Sequence, residues 1–323
     1  MKALICGISG QDGSYLAKLL LEKGYEVIGT SRDAMASSLV NLDRLGIREN
    51  VILASMAIND FRSVLSVIQK HAPDEIYNLA GQTSVGLSFE QPVEAIESIA
   101  HGTLIILEAI RFIGLPIRFY NAGSSECFGD TGGGAADENT TFSPRSPYAV
   151  AKASAHWLVD NYRNAYGLFG CTGILFNHES PLRPQRFVTQ KIVHAASHIA
   201  HSGVGSLALG NIDIHRDWGW APEYVKAMWL MLQQDQPVDF VIATGKSCSL
   251  GYFVERTFSW FGLNWKDHVQ FNNELRRPSD ITHSCGNPAR AISMLGWKRH
   301  FDVDFVIDAM CCEAKKQFHI NQV

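Results

Sequence analysis

The chain opens with an apolar run, Ala3-Leu4-Ile5-Cys6, that leads directly into Gly7-Ile8-Ser9-Gly10-Gln11-Asp12-Gly13 and then into Ser14-Tyr15-Leu16-Ala17, where apolar residues fall at helical spacing. No other feature constrains the fold as much. A strand, three glycines three residues apart and a helix form the turn on which βαβ proteins seat a diphosphate. Glycine permits the tight turn and the close approach of the backbone, and the helix start offers free N–H groups and a partial positive charge. An ordinary strand-to-helix turn can carry the same glycines, and it is the flanking strand and helix that favour a cofactor. Gly7, Gly10, Gln11, Asp12 and Gly13 are therefore candidate cofactor-binding residues.

Downstream, short β-branched runs alternate with longer amphipathic stretches. This pattern predicts an α/β fold, a doubly wound (Rossmann-like) parallel sheet with helices on both faces. Strands are expected at Ala3–Ile5, Glu26–Gly29, Val51–Ala54, Glu75–Leu79, Ile117–Asn121 and Cys171–Phe176, and helices at Ser14–Lys23, Asp60–His71, Val93–Phe112 and Pro147–Tyr166. Beyond Phe176 the alternation fails and Pro181, Arg183, Pro184 and Arg186 crowd together. With 323 residues, more than one core usually holds, two lobes are expected. Residues 1–176 form the dinucleotide lobe and 177–323 a smaller α/β substrate-binding lobe. Asp217–Gln233 and Phe240–Ala243 are regular enough to pack back, so part of 211–245 should complete the first lobe.

Composition narrows the partners. Charged residues make up 19% and hydrophobic residues 46%, a balance that folds. A net charge of −4 gives no basic field for a polyanion, so nucleic acid is not an expected partner. No apolar run approaches the roughly 18 residues that span a bilayer, and the start reads as folded strand rather than cleavable leader, so no membrane association and a cytoplasmic location are expected. The seven cysteines are scattered without a Cys/His array, which reads as reduced thiols and no metal.

After the second strand a carboxylate suits the 2′-hydroxyl of NAD and an arginine suits the 2′-phosphate of NADP. Here Thr30-Ser31-Arg32-Asp33 holds both residue types, but Arg32 comes first beside a small Ser31, which favours NADP. In Pro147-Tyr148-Ala149-Val150-Ala151-Lys152, the tyrosine and the lysine share one helix face. A nearby ammonium should draw the phenol's pKa down from about 10 and make it a base for a sugar hydroxyl. The pair also occurs on ordinary surface helices, and its place downstream of the glycine turn favours catalysis. The strand ending at Asn121 delivers Ser124, Ser125 and Glu126 to the carboxyl edge of the sheet. Ser125 is expected beside Tyr148, with Glu126 exchanging protons with substrate; a capping or solvated carboxylate is the plainer reading of Glu126.

Four stretches carry a resemblance: residues 7–16, Phe142–Tyr148, Gly173–Pro181 with its Asn177-His178-Glu179-Ser180-Pro181, and Arg216-Asp217-Trp218-Gly219. On these the chain resembles the GDP-mannose 4,6-dehydratases of the extended short-chain dehydrogenase/reductases over nearly its whole length. The resemblance implies catalysis by Ser124, Ser125, Glu126, Tyr148 and Lys152. Tyr148 would take the C4 hydroxyl proton as the C4 hydride passes to NADP, Glu126 the C5 proton, and water would leave C6 with help from Ser124 or Glu126. The hydride would then return to C6, giving a GDP-4-keto-6-deoxy sugar. It further implies cofactor contacts at Ala80, Tyr148 and Lys152 besides the glycine turn and Arg32, and substrate contacts at Asn177, Lys191, Arg216 and Arg277, where guanidinium groups suit a diphosphate. His178 is read as structural.

Several positions depart from the family pattern. Ser124 replaces a threonine, Ser55 stands where a carboxylate meets adenine, and Ser31-Arg32 replaces an arginine pair. Gln190 replaces an arginine, Asp280 a glutamate and Gly81 an alanine. These changes leave room for another sugar such as a heptose. A 4-epimerase and a catalytically silent NADP-binding scaffold are the competing readings; Glu126 argues against the first and the intact Ser125, Glu126, Tyr148 and Lys152 against the second. The resemblance implies a homodimer or homotetramer. Asp33–Leu45, which reaches a neighbouring subunit in such enzymes, is compact here, so a dimer is the firmer expectation.

Overall fold

A computed structural model describes residues 1–275 and 277–320. Its centre is a sheet of seven parallel strands: β1 Lys2–Cys6, β2 Glu26–Ser31, β3 Val51–Ser55, β4 Glu75–Asn78, β5 Arg118–Ala122, β6 Gly170–Leu175 and a seventh, Phe240–Ile242. They lie in the order seventh, β6, β5, β4, β1, β2, β3. In register, Leu4 of β1 faces Ile28 of β2 and Ile76 of β4. The direction of winding reverses between β1 and β4, and ligands of such sheets bind at the carboxyl ends beside that reversal.

The period of two along each strand separates two cores. Ala3 and Ile5 join Leu16, Leu20, Tyr224 and Met228 on one face. Leu4 and Cys6 join Val64, Ile68, Ile106 and Ile110 on the other. Each such aliphatic side chain contributes about 1.5–3 kcal/mol on full burial.

Three pieces from beyond residue 176 belong to this lobe. Helix Ala221–Leu232 packs on helix Gln11–Glu22, and Phe240–Ile242 pairs with β6 through Val241 and Ile174. Helix Ala289–Leu295 covers the seventh strand, and the fully buried Trp297 enters the first core, its indole N–H donating to the Glu223 carbonyl at 2.8 Å. This last return lies outside the 211–245 stretch that the sequence marks. The second lobe's own core gathers Ile192, Val193, Phe253, Phe258 and Ile307 from helices Val188–Ser202, Leu250–Trp260 and Val303–Ile320, with Trp218 from the strand Trp218–Trp220. Among the described residues no helix is long and apolar enough to cross a membrane.

Two predicted helices differ in detail. The first begins at Gln11 rather than Ser14, because the Ser14 N–H already bonds the Gly10 carbonyl and puts Gly13 inside the first turn. The stretch predicted as Val93–Phe112 is interrupted by one wide turn of π geometry, Glu97–His101, between helices Pro92–Ile96 and Gly102–Ile113. Its cause is polar. Ser98 Oγ donates to the Glu94 carbonyl at 2.6 Å and accepts the Gln82 N–H at 3.1 Å, while Thr103 Oγ1 donates to the Ile99 carbonyl at 2.7 Å. Hydroxyls that bond back into the helix ladder loosen it.

Candidate functional site

Two adjoining cavities open along the carboxyl edge of the sheet. One, of about 960 Å³, is lined by Gly7, Gly10, Gln11, Asp12, Gly13, Arg32 and Ala80, all the residues that the sequence assigns to a cofactor apart from Tyr148 and Lys152. Gly7 takes φ +87°, and a Cβ on Gly13 would stand 2.3 Å from the Gly7 carbonyl oxygen. Only glycine fits both places, so the turn brings bare backbone to the helix start, as a diphosphate requires. The cradle fits a dinucleotide.

The second cavity, of about 420 Å³, brings together Ser124, Ser125, Glu126, Tyr148, Lys152, Asn177, Lys191, Arg216 and Arg277. These come from the segment that follows β5, the helix Pro147–Tyr166 and the smaller lobe. The helix is fixed at its start by Ser146, whose hydroxyl accepts the Ala149 N–H at 3.1 Å, with Pro147 in the first turn. Tyr148 and Lys152 then project one turn apart, both buried. Lys152 Nζ donates to the Ala122 carbonyl at 2.7 Å, which ties the helix to the end of β5.

Charge states in this cavity are set first by burial. It pushes the Tyr148 phenol well above its ordinary value, and a hydrogen bond with the Ser124 hydroxyl opposes that rise. Burial draws Lys152 down to about 8, against the pull of Cys127 and Asp12. The lowering of the Tyr148 phenol that the sequence expects from Lys152 is therefore outweighed by burial, since the ammonium directs an N–H at a carbonyl and lies 5.8 Å from the phenol ring centroid. Burial likewise raises the Glu126 carboxyl, with Arg216 and Arg277 pulling down and Asp280 pushing up. The hydroxyl beside Tyr148 is that of Ser124, where the sequence places Ser125. Ser124 is extended (φ −149°, ψ 141°) and caps the single tight turn Ser125–Phe128, accepting the Glu126 N–H at 3.3 Å, while Ser125 also lines the cavity.

The cations differ in how much of their charge is spent. Arg216, 5% exposed, donates to the Ile281 and His215 carbonyls at 2.8 and 2.9 Å and meets Asp280 at 3.4 Å. Lys191 Nζ donates to the Ala208 carbonyl at 3.1 Å. Arg277 lines the cavity beside Asp280.

The stretch Asn177–Pro181 fastens the two lobes. Asn177–Glu179 pairs in parallel with Trp218–Trp220. His178 meets Asp12 at 2.9 Å and the Phe176 carbonyl at 2.7 Å, and stacks on Tyr224 with centroids 4.5 Å apart. Burial opposes ionisation of Asp12, but His178 and then Arg183 bring it down to about 2. Gln11 spends its amide on the His178 carbonyl at 3.2 Å and accepts from Ser180 at 2.7 Å. Gln11 and Asp12 thus face the cofactor cavity while their side chains hold the second lobe to the glycine turn.

A family model for GDP-mannose 4,6 dehydratase matches residues 4–310. The chain is 45% identical to GDP-mannose 4,6 dehydratase 1 of Arabidopsis thaliana, over 96% of this chain and 89% of that protein. It is 46% identical to a GDP-mannose 4,6-dehydratase of Vibrio cholerae serotype O1, over 98% and 94%. The chain belongs to the GDP-mannose 4,6-dehydratase family. Its fold is also that of a dTDP-glucose 4,6-dehydratase from Streptomyces venezuelae (TM-score 0.89, 18% identity, 99% and 98% of the two chains). A UDP-glucose 4-epimerase from Thermus thermophilus superposes with a TM-score of 0.86 at 22% identity, over 98% and 99%.

Within the family frame, the departures have local explanations. Ser55 accepts the Ala34 N–H at 3.0 Å, so its hydroxyl ties the end of β3 to the segment after β2. Gly81 takes φ +128°, and a Cβ there would meet Ile99 Cγ1 at 2.9 Å. Gln190 donates to the Ser180 and Pro181 carbonyls at 3.1 and 3.3 Å. Arg32 is exposed and meets Glu94 at 3.6 Å. Asp33–Leu45 folds back on its own chain: Ser37 Oγ donates to Ser31 Oγ at 2.9 Å, Asn41 to the Ser9 carbonyl at 3.0 Å, and Arg44 to the Pro181 carbonyl at 3.2 Å. The sequence reading singles out neither Arg183 nor Arg186 as a site residue, although both line both cavities; their clustering with prolines after Pro181 was the available sign.

Proposed function

We propose that this chain dehydrates a GDP-sugar, GDP-mannose foremost, with NADP as its resident cofactor. The observation that carries this reading is the shared cavity of Tyr148, Ser124 and Glu126. A phenol and a carboxylate a few residues from a cofactor cradle suit oxidation followed by elimination, whereas a carboxylate base has no task in a 4-epimerase. GDP-mannose is the sugar nucleotide named in the relatives, and NAD is named with the epimerase and dehydratase of like fold. Ser31 and Arg32 at the end of β2 support NADP over NAD here.

NADP supplies a hydride acceptor at C4, later the donor at C6, and in its oxidised form a positive ring. Tyr148 takes the proton of the C4 hydroxyl, with Ser124 holding the same oxygen and Lys152 holding the helix to β5. The resulting ketone acidifies C5. Glu126 takes the C5 proton, and the C6 hydroxyl departs as water with a proton from Glu126 or by way of Ser124. Two protons leave the sugar, that of the C4 hydroxyl to Tyr148 and that of C5 to Glu126; one departs with the C6 hydroxyl as water and the other is returned to C5, so that with the hydride moved from C4 to C6 the sum is the loss of one water. Arg216, Arg277 and Lys191 hold the diphosphate end, and Asn177 the sugar. The expected result is that purified protein with NADP and GDP-mannose gives a product lighter by one water in mass spectrometry. An unchanged GDP-mannose alongside turnover of another sugar nucleotide, a GDP-heptose for example, overturns the assignment of substrate.

A further inference from the structure

Three cations line the cofactor cavity among the described residues: Arg32, Arg183 and Arg186. Two of them are already matched. Arg32 meets Glu94 at 3.6 Å, and Arg183 meets Glu179 at 2.9 Å while also donating to the His178 carbonyl. Arg186 has no carboxylate at ion-pair distance among the described residues, and its polar contact is one hydrogen bond, from Nη2 to Thr83 Oγ1 at 3.1 Å. The two guanidinium groups of Arg183 and Arg186 both lie over the ring of Phe187, at 4.7 and 5.2 Å from its centroid. Stacking on the ring holds the Arg186 plane without using its donors.

At this place the other two cations are matched by carboxylates. The glycine turn ends in helix Gln11–Glu22, whose first turn carries Asp12, held ionised by His178. That carboxylate offsets the positive end of the helix, which would otherwise serve a diphosphate. Arg186 comes from the second lobe and reaches Thr83, on the loop that follows β4 and Ala80, and it lines both cavities. We propose that Arg186 is a cofactor-binding residue contributed by the smaller lobe: its guanidinium leaves Thr83 for the diphosphate of the dinucleotide and closes the lobe over it. The proposal rests on the cofactor reading above and adds to it the residue that supplies an unmatched positive charge.

The test is NADPH binding, followed by fluorescence titration at several salt concentrations, for the full-length protein and for Arg186→Ala and Arg186→Lys. The alanine variant is expected to bind NADPH about tenfold more weakly, the loss of one charge-assisted contact, with a shallower dependence on salt. The lysine variant should recover part of the affinity. Melting temperatures without cofactor should match, and the rise that NADPH brings should shrink in Arg186→Ala. Equal NADPH affinity for Arg186→Ala and the unaltered protein overturns the proposal and leaves the functional reading standing. A lowered melting temperature without cofactor, together with unchanged affinity, shows a purely structural contact and also overturns it. If the unaltered protein binds neither NADPH nor NADH, the cofactor reading falls and Arg186 with it.

Discussion

Glu126 sits half-buried among Arg216, Arg277 and Asp280, and burial outweighs the two arginines, so its carboxyl titrates above the ordinary value. A raised folded-state pKa means that ionisation costs stability: the cost is absent below the unfolded value and complete above the folded one. Replacing Glu126 by glutamine should therefore raise the melting temperature near pH 7, with the gain vanishing near pH 4, while dehydration is lost. Thermal unfolding at both pH values checks this. Tyr148→Phe should lower kcat by at least about a hundredfold with cofactor affinity little changed, read by single-turnover mass spectrometry and NADPH titration. The spacing of Tyr148 and Lys152 is legible in the sequence, because four residues on a helix make one face. The direction of their shifts is not, since desolvation comes from side chains far away in the chain. Nor does the sequence show that Ser124 rather than Ser125 meets the phenol, which depends on the tight turn Ser125–Phe128.

At the scale of elements, the glycine turn is the most legible part, and its tolerance is the smallest. A methyl group on Gly13 would lie 2.3 Å from the Gly7 carbonyl and 2.9 Å from the Ile8 Cα, both backbone. Gly13→Ala should therefore cost about 1–3 kcal/mol by overpacking and abolish NADPH binding, seen as a lower denaturant midpoint and a flat titration. By contrast, the helical pattern of Val93–Phe112 is right in period and silent about its wide turn. Ser98 and Thr103 acquire their meaning only from Gln82 and from Asn121, whose amide oxygen is 3.4 Å from the Thr103 hydroxyl. The short helices Val40–Arg44 and Val85–Glu90 escape a periodicity argument because each is under two full turns long.

Across the whole molecule, the loss of alternation after Phe176 is legible in the sequence, but the returns of the later chain to the core around the sheet are not. Trp297 and Ala289–Leu295 return to the first lobe in a stretch with too little regularity to mark. One side chain fastens much of this arrangement. Asp239, next to the seventh strand, accepts from both Nη atoms of Arg163 at 3.0 and 2.9 Å and from the Thr172 N–H at 2.6 Å. Asp239→Ala should destabilise the protein by about 1–3 kcal/mol, because the Thr172 N–H loses its acceptor while Arg163 keeps Asp160, measurable as a drop in the urea midpoint. The seventh strand also sets an order of events during synthesis. A nascent chain that has emerged only as far as Phe176 holds β6 with one edge bare, and bare edges invite pairing with other chains. It must wait for Phe240–Ile242, and then for Trp297, before that edge is covered. The core around the sheet is thus completed late, only after most of the residues beyond Phe176 have been made, rather than ahead of them.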